Sequence, residues 1–334
     1  DGQEVGQFAS GGPAAHGSAG EVGVGIDGGG AVDEAIAQRG LGHEVVEDEE
    51  RVGRVAAVGA NVRQFAVGDE VVAGSLFGGY TSQLVVPAAN AFALPPHLTL
   101  ETGAALPVTF FTAHIALAEM SRVRKGDRVL IESAAGGVGI IATQLARAAG
   151  ADVVGLTSSP HKKAMIESLG ATAMTEDEFA AATATPKFNL PLKSAGGTVN
   201  TISNFDIILN SSGGASINRQ RKLLNYTGRI ICFGFSSGIK DGKRSLPRAA
   251  WAALQMPRLS VLKMFDTNTG VYALNALHVL RDPQWSARLT QAVIDANALK
   301  LTPHVGKVFP AAEVAAAHRA LETKQVTGKV LLAW

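Results

Sequence analysis

The stretch Arg128-Val-Leu-Ile-Glu-Ser-Ala134-Ala135-Gly136-Gly137-Val138-Gly139-Ile140 constrains this chain more than any other. A short apolar run passes through small residues directly into a helical pattern. That succession suits a dinucleotide pyrophosphate, which needs a tight turn, a backbone without Cβ at closest approach, and helix N–H groups aimed at its negative charge. Gly136 and Gly139 occupy the second and third glycine places of G-x-G-x-x-G, with Ala134 at the first. The alternative is a merely structural turn. The strand before and the helix after favour the cofactor.

The same rhythm continues downstream. Val129-Leu130-Ile131, Val153-Val154-Gly155-Leu156, Ile207-Ile208-Leu209 and Ile230-Ile231-Cys232-Phe233 are short apolar runs of the kind buried on both faces of a parallel sheet. Helical patterns over 138–149, 160–169 and 216–225 separate them, the first two closed by Gly150 and Gly170. This alternation predicts a doubly wound α/β domain. Upstream, β-branched runs at 52–58, 68–73 and 80–86 predict a mostly antiparallel, barrel-like region, followed by helix around Pro107. Helices over 270–280 and 311–322 and a strand over 329–333 are expected near the other end. Residues 183–203, rich in Thr, Ser, Pro and Gly, read as an ordered excursion or a mobile loop.

Charge narrows the function classes. Thirty Lys and Arg against 29 Asp and Glu leave a net charge of +1, too little for a whole-chain field that would hold nucleic acid or anionic lipid. No apolar run approaches the length of a spanning helix, so no integral membrane segment is expected. The single cysteine, Cys232, excludes a disulfide scaffold and a Cys-rich zinc site, and fits a reducing, cytoplasmic setting. Residues 1–50 stand apart, with 11 of the 29 acids, one base (Arg39) and 13 of the 38 glycines. They are expected to be an atypical segment, disordered or misread, in a chain that opens on Asp rather than Met.

The strand after the glycine turn bears on cofactor type. An NAD site usually presents a carboxylate about 20 residues on, to bond the ribose 2′-hydroxyl. This chain instead reads Leu156-Thr157-Ser158-Ser159-Pro160-His161-Lys162-Lys163, where hydroxyls and an ammonium suit a 2′-phosphate, so NADPH is expected. One of Lys162 and Lys163 is compatible with a solvated helix face. Two other motifs point elsewhere. Gly234-Phe235-Ser236-Ser237-Gly238 matches the G-x-S-x-G of a hydrolase elbow, but a polar, glycine-broken stretch follows where an elbow needs a helix. Gly42-His43-Glu44 imitates a zinc-site corner, yet the one available thiolate lies in an expected strand, so no metal is expected.

From Arg51 to Trp334 the chain resembles the zinc-independent medium-chain dehydrogenase/reductase family, in its quinone oxidoreductase (zeta-crystallin-like) branch. The likeness rests on Gly53-Arg-Val-Ala-Ala-Val-Gly59 with Phe65-Ala-Val-Gly-Asp-Glu-Val71, Ala104-Ala-Leu-Pro-Val-Thr-Phe-Phe-Thr-Ala113, Ala134-Ala-Gly-Gly-Val-Gly139, Leu169-Gly170-Ala171, Phe309-Pro310 through Ala317-His318, and Gly328-Lys329-Val330. Residues 264–275 look closest to the vesicle amine transport protein homologues within that branch. The resemblance implies a Rossmann doubly wound parallel sheet domain, residues 120–269, inserted in a GroES-like mostly β domain, residues 51–119 with 270–334. It also implies a homodimer.

By position in the family, Thr112 would sit near the nicotinamide, Gly136, Gly137, Val138 and Gly139 at the pyrophosphate, and Thr157, Ser158 and Lys162 around the 2′-phosphate. Ser211, Phe233, Gly234, Met264 and Phe265 would border the nicotinamide side, with Lys329 near it. The implied reaction is hydride transfer from NADPH to a quinone or to the β-carbon of an α,β-unsaturated carbonyl. Residues 1–50 contain neither the Asn nor the Tyr that such relatives present to cofactor and substrate. Two alternatives follow: a non-catalytic NADPH-binding structural or membrane-associated protein, and an enoyl reductase module of a polyketide or fatty-acid synthase.

Overall fold

The computed structural model describes residues 21–25, 30–31, 49–75, 80–184, 190–193, 199–202, 204–234, 239–240, 243–244, 254–323 and 325–334. Strands β1 (Glu21–Gly25), β2 (Gly30–Ala31), β3 (Glu49–Val58), β4 (Glu70–Ser75), β5 (Gln83–Pro87) and β6 (Ala91–Ala93) form an antiparallel sheet in which β1 lies between β3 and β5. Val52 pairs with Val72, and both are fully buried beside Phe92, as alternation of β-branched residues onto one face requires. Helices α1 (Leu100–Ala104) and α2 (Pro107–His114) follow. A reciprocal capping box between Thr99 and Thr102 starts α1, Pro107 starts α2, and α2 runs on into a π-helical turn over Ile115–Met120.

A second sheet then begins, with β7 (Arg128–Ile131), α3 (Gly137–Ala148), β8 (Asp152–Thr157), α4 (Lys163–Ser168), β9 (Thr172–Thr175) and α5 (Glu176–Ala182). Gly150 and Gly170 close α3 and α4 with φ of 80° and 77°, where a side chain would be strained. Within the stretch 183–203, β10 (Leu190–Lys193) and β11 (Val199–Ile202) pair as an antiparallel ribbon. The sheet resumes with β12 (Phe205–Asn210), α6 (Ala215–Arg221) and β13 (Leu224–Cys232). The two-residue strands β14 (Ile239–Lys240) and β15 (Lys243–Arg244) pair with each other, and α7 (Val261–Thr267) leads into β16 (Gly270–Ala273).

The parallel order is β16-β13-β12-β7-β8-β9, and Val129, Leu130, Val153, Val154, Ile207, Ile208, Ile230 and Ile231 are all fully buried. This is the expected doubly wound sheet. Two expectations need correction. Gly270–Ala273 is a strand of this sheet rather than helix, so the sheet extends past the boundary drawn at 269; only α8 (Ala276–Leu280) is helical there. Its registry explains why: Arg229, Ile230 and Ile231 of β13 offer a free edge that Gly270, Val271 and Tyr272 complete. Helix α9 (Pro283–Asp295), capped by Asp282, follows without having been anticipated.

The chain then returns to the first sheet. Strand β17 (Val305–Pro310), α10 (Val314–Glu322) and β18 (Lys329–Ala333) end it, with β18 parallel to β17 and antiparallel to β2. The antiparallel unit is thus assembled from both ends of the chain around the inserted parallel sheet. Residues 1–20, 26–29 and 32–48, on which the expectation of a disordered or misread start partly falls, lie outside the described residues.

Candidate active site

The parallel sheet doubles back between β7 and β12, so the strands on either side have helices on opposite faces and their carboxyl ends leave a crevice. The glycine turn sits at its mouth. Gly136 N–H donates to the Ser133 carbonyl at 2.8 Å, and α3 starts from Gly136 with neither a side-chain cap nor an acid in its first turn. First-turn amides have no intrahelical acceptor, so the helix start presents a positive pole to the crevice. Small residues are required here by contact. A Cβ on Gly139 would stand 2.5 Å from Ala134 Cα, and one on Gly137 would meet Thr109 Cγ2 at 3.0 Å and Lys329 Cγ at 3.1 Å. Gly328 N–H bonds the Ala135 carbonyl at 2.8 Å, which fastens the approach to β18 onto the turn.

A cavity of about 480 Å³ opens along this turn. Its walls include Thr112, Gly136, Gly137, Val138, Gly139, Thr157, Ser158, Lys162, Phe233 and Lys329, ten of the residues expected from sequence. Thr157 ends β8 and is buried, and Ser158 follows it exposed. Lys162 turns inward, buried, with its ammonium donating to the Val326 carbonyl at 2.8 Å. Lys163 turns outward to Glu178, 2.9 Å away. Of the two adjacent lysines, the first is therefore the one at the cavity and the second belongs to the helix surface. Glu176, the first residue of α5, also lines this end and brings a carboxylate that the sequence reading missed. No local motif marks it: it reaches the cavity because β9 lies beside β8 with Thr175 level with Thr157.

Ser211 and Gly234 do not line the cavity but lie directly behind it. Ser133 and Ser211 share a hydrogen bond of 2.9 Å between hydroxyls, and a Cβ on Gly234 would fall 2.6 Å from the Ser211 carbonyl oxygen. Met264 and Phe265 are a different matter, because the structure does not bring them to this cavity. They occupy the last turn of α7, whose following residue Asn268 accepts a hydrogen bond from Thr227 near the start of β13, at the sheet edge opposite the glycine turn. Phe265 is 71% exposed.

Beneath the crevice lies a buried polar network. The Glu132 carboxylate accepts from the amides of Ser211 at 2.9 Å and Ser212 at 3.0 Å and from the Gln220 side-chain amide. Burial pushes the Glu132 carboxyl up from its ordinary value, against the opposing pull of these donors. Cys232 is half-buried and its thiol is likewise pushed up, so it is a poor thiolate ligand. Among the described residues no three His, Cys, Asp or Glu side chains gather as a metal site. His43 and residues 235–238 of the hydrolase-like motif lie outside the described residues. The larger hollow, about 960 Å³ between the π-helical turn and α9, shares no lining residue with the crevice.

The residues fit a dinucleotide: an uncapped helix start for the pyrophosphate, hydroxyls and a lysine at one end, and a threonine and phenylalanine at the other. Residues 137–265 match the family described as zinc-binding dehydrogenase. Over 284 residues, 85% of this chain and 68% of the relative, the sequence is 28% identical to the synaptic vesicle membrane protein VAT-1 homolog of Rattus norvegicus. It is 29% identical to the quinone oxidoreductase of Sus scrofa over 84% of this chain and 77% of that one. The fold superimposes with a TM-score of 0.72 on the quinone oxidoreductase of Thermus thermophilus, solved alone and with NADPH, at 26% identity over 96% of this chain and 94% of that one. No helix among the described residues is long and apolar enough to cross a membrane.

Proposed function

We propose that the chain, which is similar to zinc-binding dehydrogenases and to quinone oxidoreductases, belongs to the quinone oxidoreductase branch of the medium-chain dehydrogenase/reductase family and is an NADPH-dependent, zinc-independent oxidoreductase acting on quinones or α,β-unsaturated carbonyls. The observation that carries this reading is the single cavity shared by the Gly136–Gly139 turn, Lys162 and Phe233. When bound, the reduced nicotinamide would supply a hydride. The start of α3 binds diphosphate through backbone amides, and Lys329, buried beside Gly137, adds positive charge there. Thr157, Ser158 and the Lys162 ammonium receive the 2′-phosphate, in opposition to Glu176. Thr112, buried on α2, and Phe233 form the walls at the other end and keep water from the reacting carbon. Negative charge developing on the substrate carbonyl oxygen would be met there by the Thr112 hydroxyl, with the proton coming from solvent.

Steady-state assays with a benzoquinone and a 2-alkenal test the reaction. Saturable cofactor oxidation with at least one of them is expected, and NADPH binding without turnover on either would leave only a nucleotide-binding protein. The same reading extends to a homodimer joined through the parallel sheets. Supporting it, β16 is an edge strand, and Leu254, Leu259, Val261, Leu262 and Phe265 in the stretch before it and Tyr272 within it are exposed apolar residues.

A further inference from the structure

We propose that Glu132 is a positioning residue that holds the loop Ser211–Gly214 against the crevice and so sets the wall at the nicotinamide end, which rests on the NADPH reading above. Glu132 extends from the end of β7 and its own amide bonds the Leu209 carbonyl at 3.0 Å. It is 8% exposed and does not line the cavity, so its influence on the site must be indirect.

Three successive loop amides are each received by a side-chain oxygen. Ser211 and Ser212 donate to the same Glu132 oxygen, and Gly213 donates to Asn210 Oδ1 at 2.7 Å. Asn210 Nδ2 donates to Ser216 Oγ and to Gln220 Oε1, both at 2.8 Å, and Gln220 in turn donates to the other Glu132 oxygen. The network is closed, and Glu132 is its one acceptor-only member. A neutral amide at this place would turn an NH₂ group toward one of the converging donors, which include the Ser212 side chain as well.

The loop bears directly on the cavity wall. Phe233 N–H donates to the Asn210 carbonyl at 3.0 Å, and Gly234 packs against Ser211 so closely that a Cβ would collide with it. Phe233 lines the cavity. The next residue after Glu132, Ser133, both opens the glycine turn and bonds Ser211. One buried carboxylate therefore fixes the Phe233 wall relative to the pyrophosphate turn. Displacing such a wall by about 1 Å is enough to cost ~100-fold in rate.

The test compares Glu132→Gln with the unaltered chain in two measurements. Hydrogen exchange without nucleotide is expected to quicken at least ~10-fold at the Ser211 and Ser212 amides while β7 keeps its protection, because a neutral carbonyl holds the two amides less firmly than the carboxylate and the sheet is untouched. With NADPH, kcat is expected to fall ~10-fold or more while the NADPH Kd moves less than about threefold, since the pyrophosphate grip is intact. Unchanged exchange, or quickened exchange with an unchanged kcat, overturns the proposal. So does a Kd that collapses while kcat holds. Should Glu132→Gln not fold, Gln220→Met keeps the carboxylate and both amide bonds and is expected to show the same split at smaller size; no split in that variant counts against the proposal. An unaltered chain that binds no NADPH instead defeats the oxidoreductase reading, and the nucleotide-free exchange then still decides whether Glu132 anchors the loop.

Discussion

Cofactor preference at the residue scale is a contest between two side chains at one end of the crevice. On the proposed reading, Lys162→Glu is expected to weaken NADPH by ~10-fold or more with little effect on NADH, because a carboxylate would replace the ammonium proposed to face the 2′-phosphate. Glu176→Gln is expected to act oppositely, tightening NADPH and sparing NADH; fluorescence titration of both nucleotides measures each. Gly139→Ala forces a methyl into Ala134 Cα and the Ser133 carbonyl, at a cost of about 1–3 kcal/mol and with loss of nucleotide binding. Elsewhere, His114 stacks on Phe110 at 5.3 Å between ring centres, and its pKa is lowered from 6.5, chiefly by burial, with Glu119 opposing and Arg288 assisting. Below pH 6.5 the unfolded chain therefore takes up a proton that the folded His114 refuses, and stability falls until the lowered value is passed. His114→Gln is expected to flatten that acid-side slope in urea melts at pH 5 and 7.

Elements differed in how plainly the sequence announced them. The four central strands were visible because burial on both faces demands continuous apolar runs, and Ile131, Val154, Leu209 and Ile231 supply them. Strand β16 was missed because an edge strand keeps one side exposed: Tyr272 is 44% exposed, so Gly270–Ala273 carries no such run. Strand β1 alternates Val22 and Val24 with glycines that have no side chain to mark a face, and partners β3 and β5 lie far along the chain. The glycine turn and Lys162 were legible because a local motif specifies them. Glu132 and Glu176 were not, since their roles depend on loops brought together by the sheet's order. Helix α5 offers a direct check on local signals. Thr175 accepts from Glu178 N–H at 3.1 Å while Glu178 accepts from Thr175 N–H at 2.8 Å. Thr175→Ala is expected to cost about 1 kcal/mol, seen as a Tm lower by ~2–4 °C.

At the scale of the whole molecule, the proposed dimer would join through the parallel sheet, while the crevice is lined by residues from both halves of the chain. If two copies join along β16, replacing Leu262 and Phe265 together by lysine is expected to give a monomer in light scattering at unchanged cofactor affinity, since neither residue lines the crevice. A dimer that survives the double change would place the contact elsewhere. The bond from Gly328 to Ala135 carries the final consequence. Strand β18 is stitched to the glycine bend by its own lead-in, and Lys329 covers that bend. Removing residues 329–334 is therefore no cosmetic edit, because it takes away Lys329 and the strand that Gly328 fastens to the glycine bend, and with them part of the proposed seat for the nucleotide.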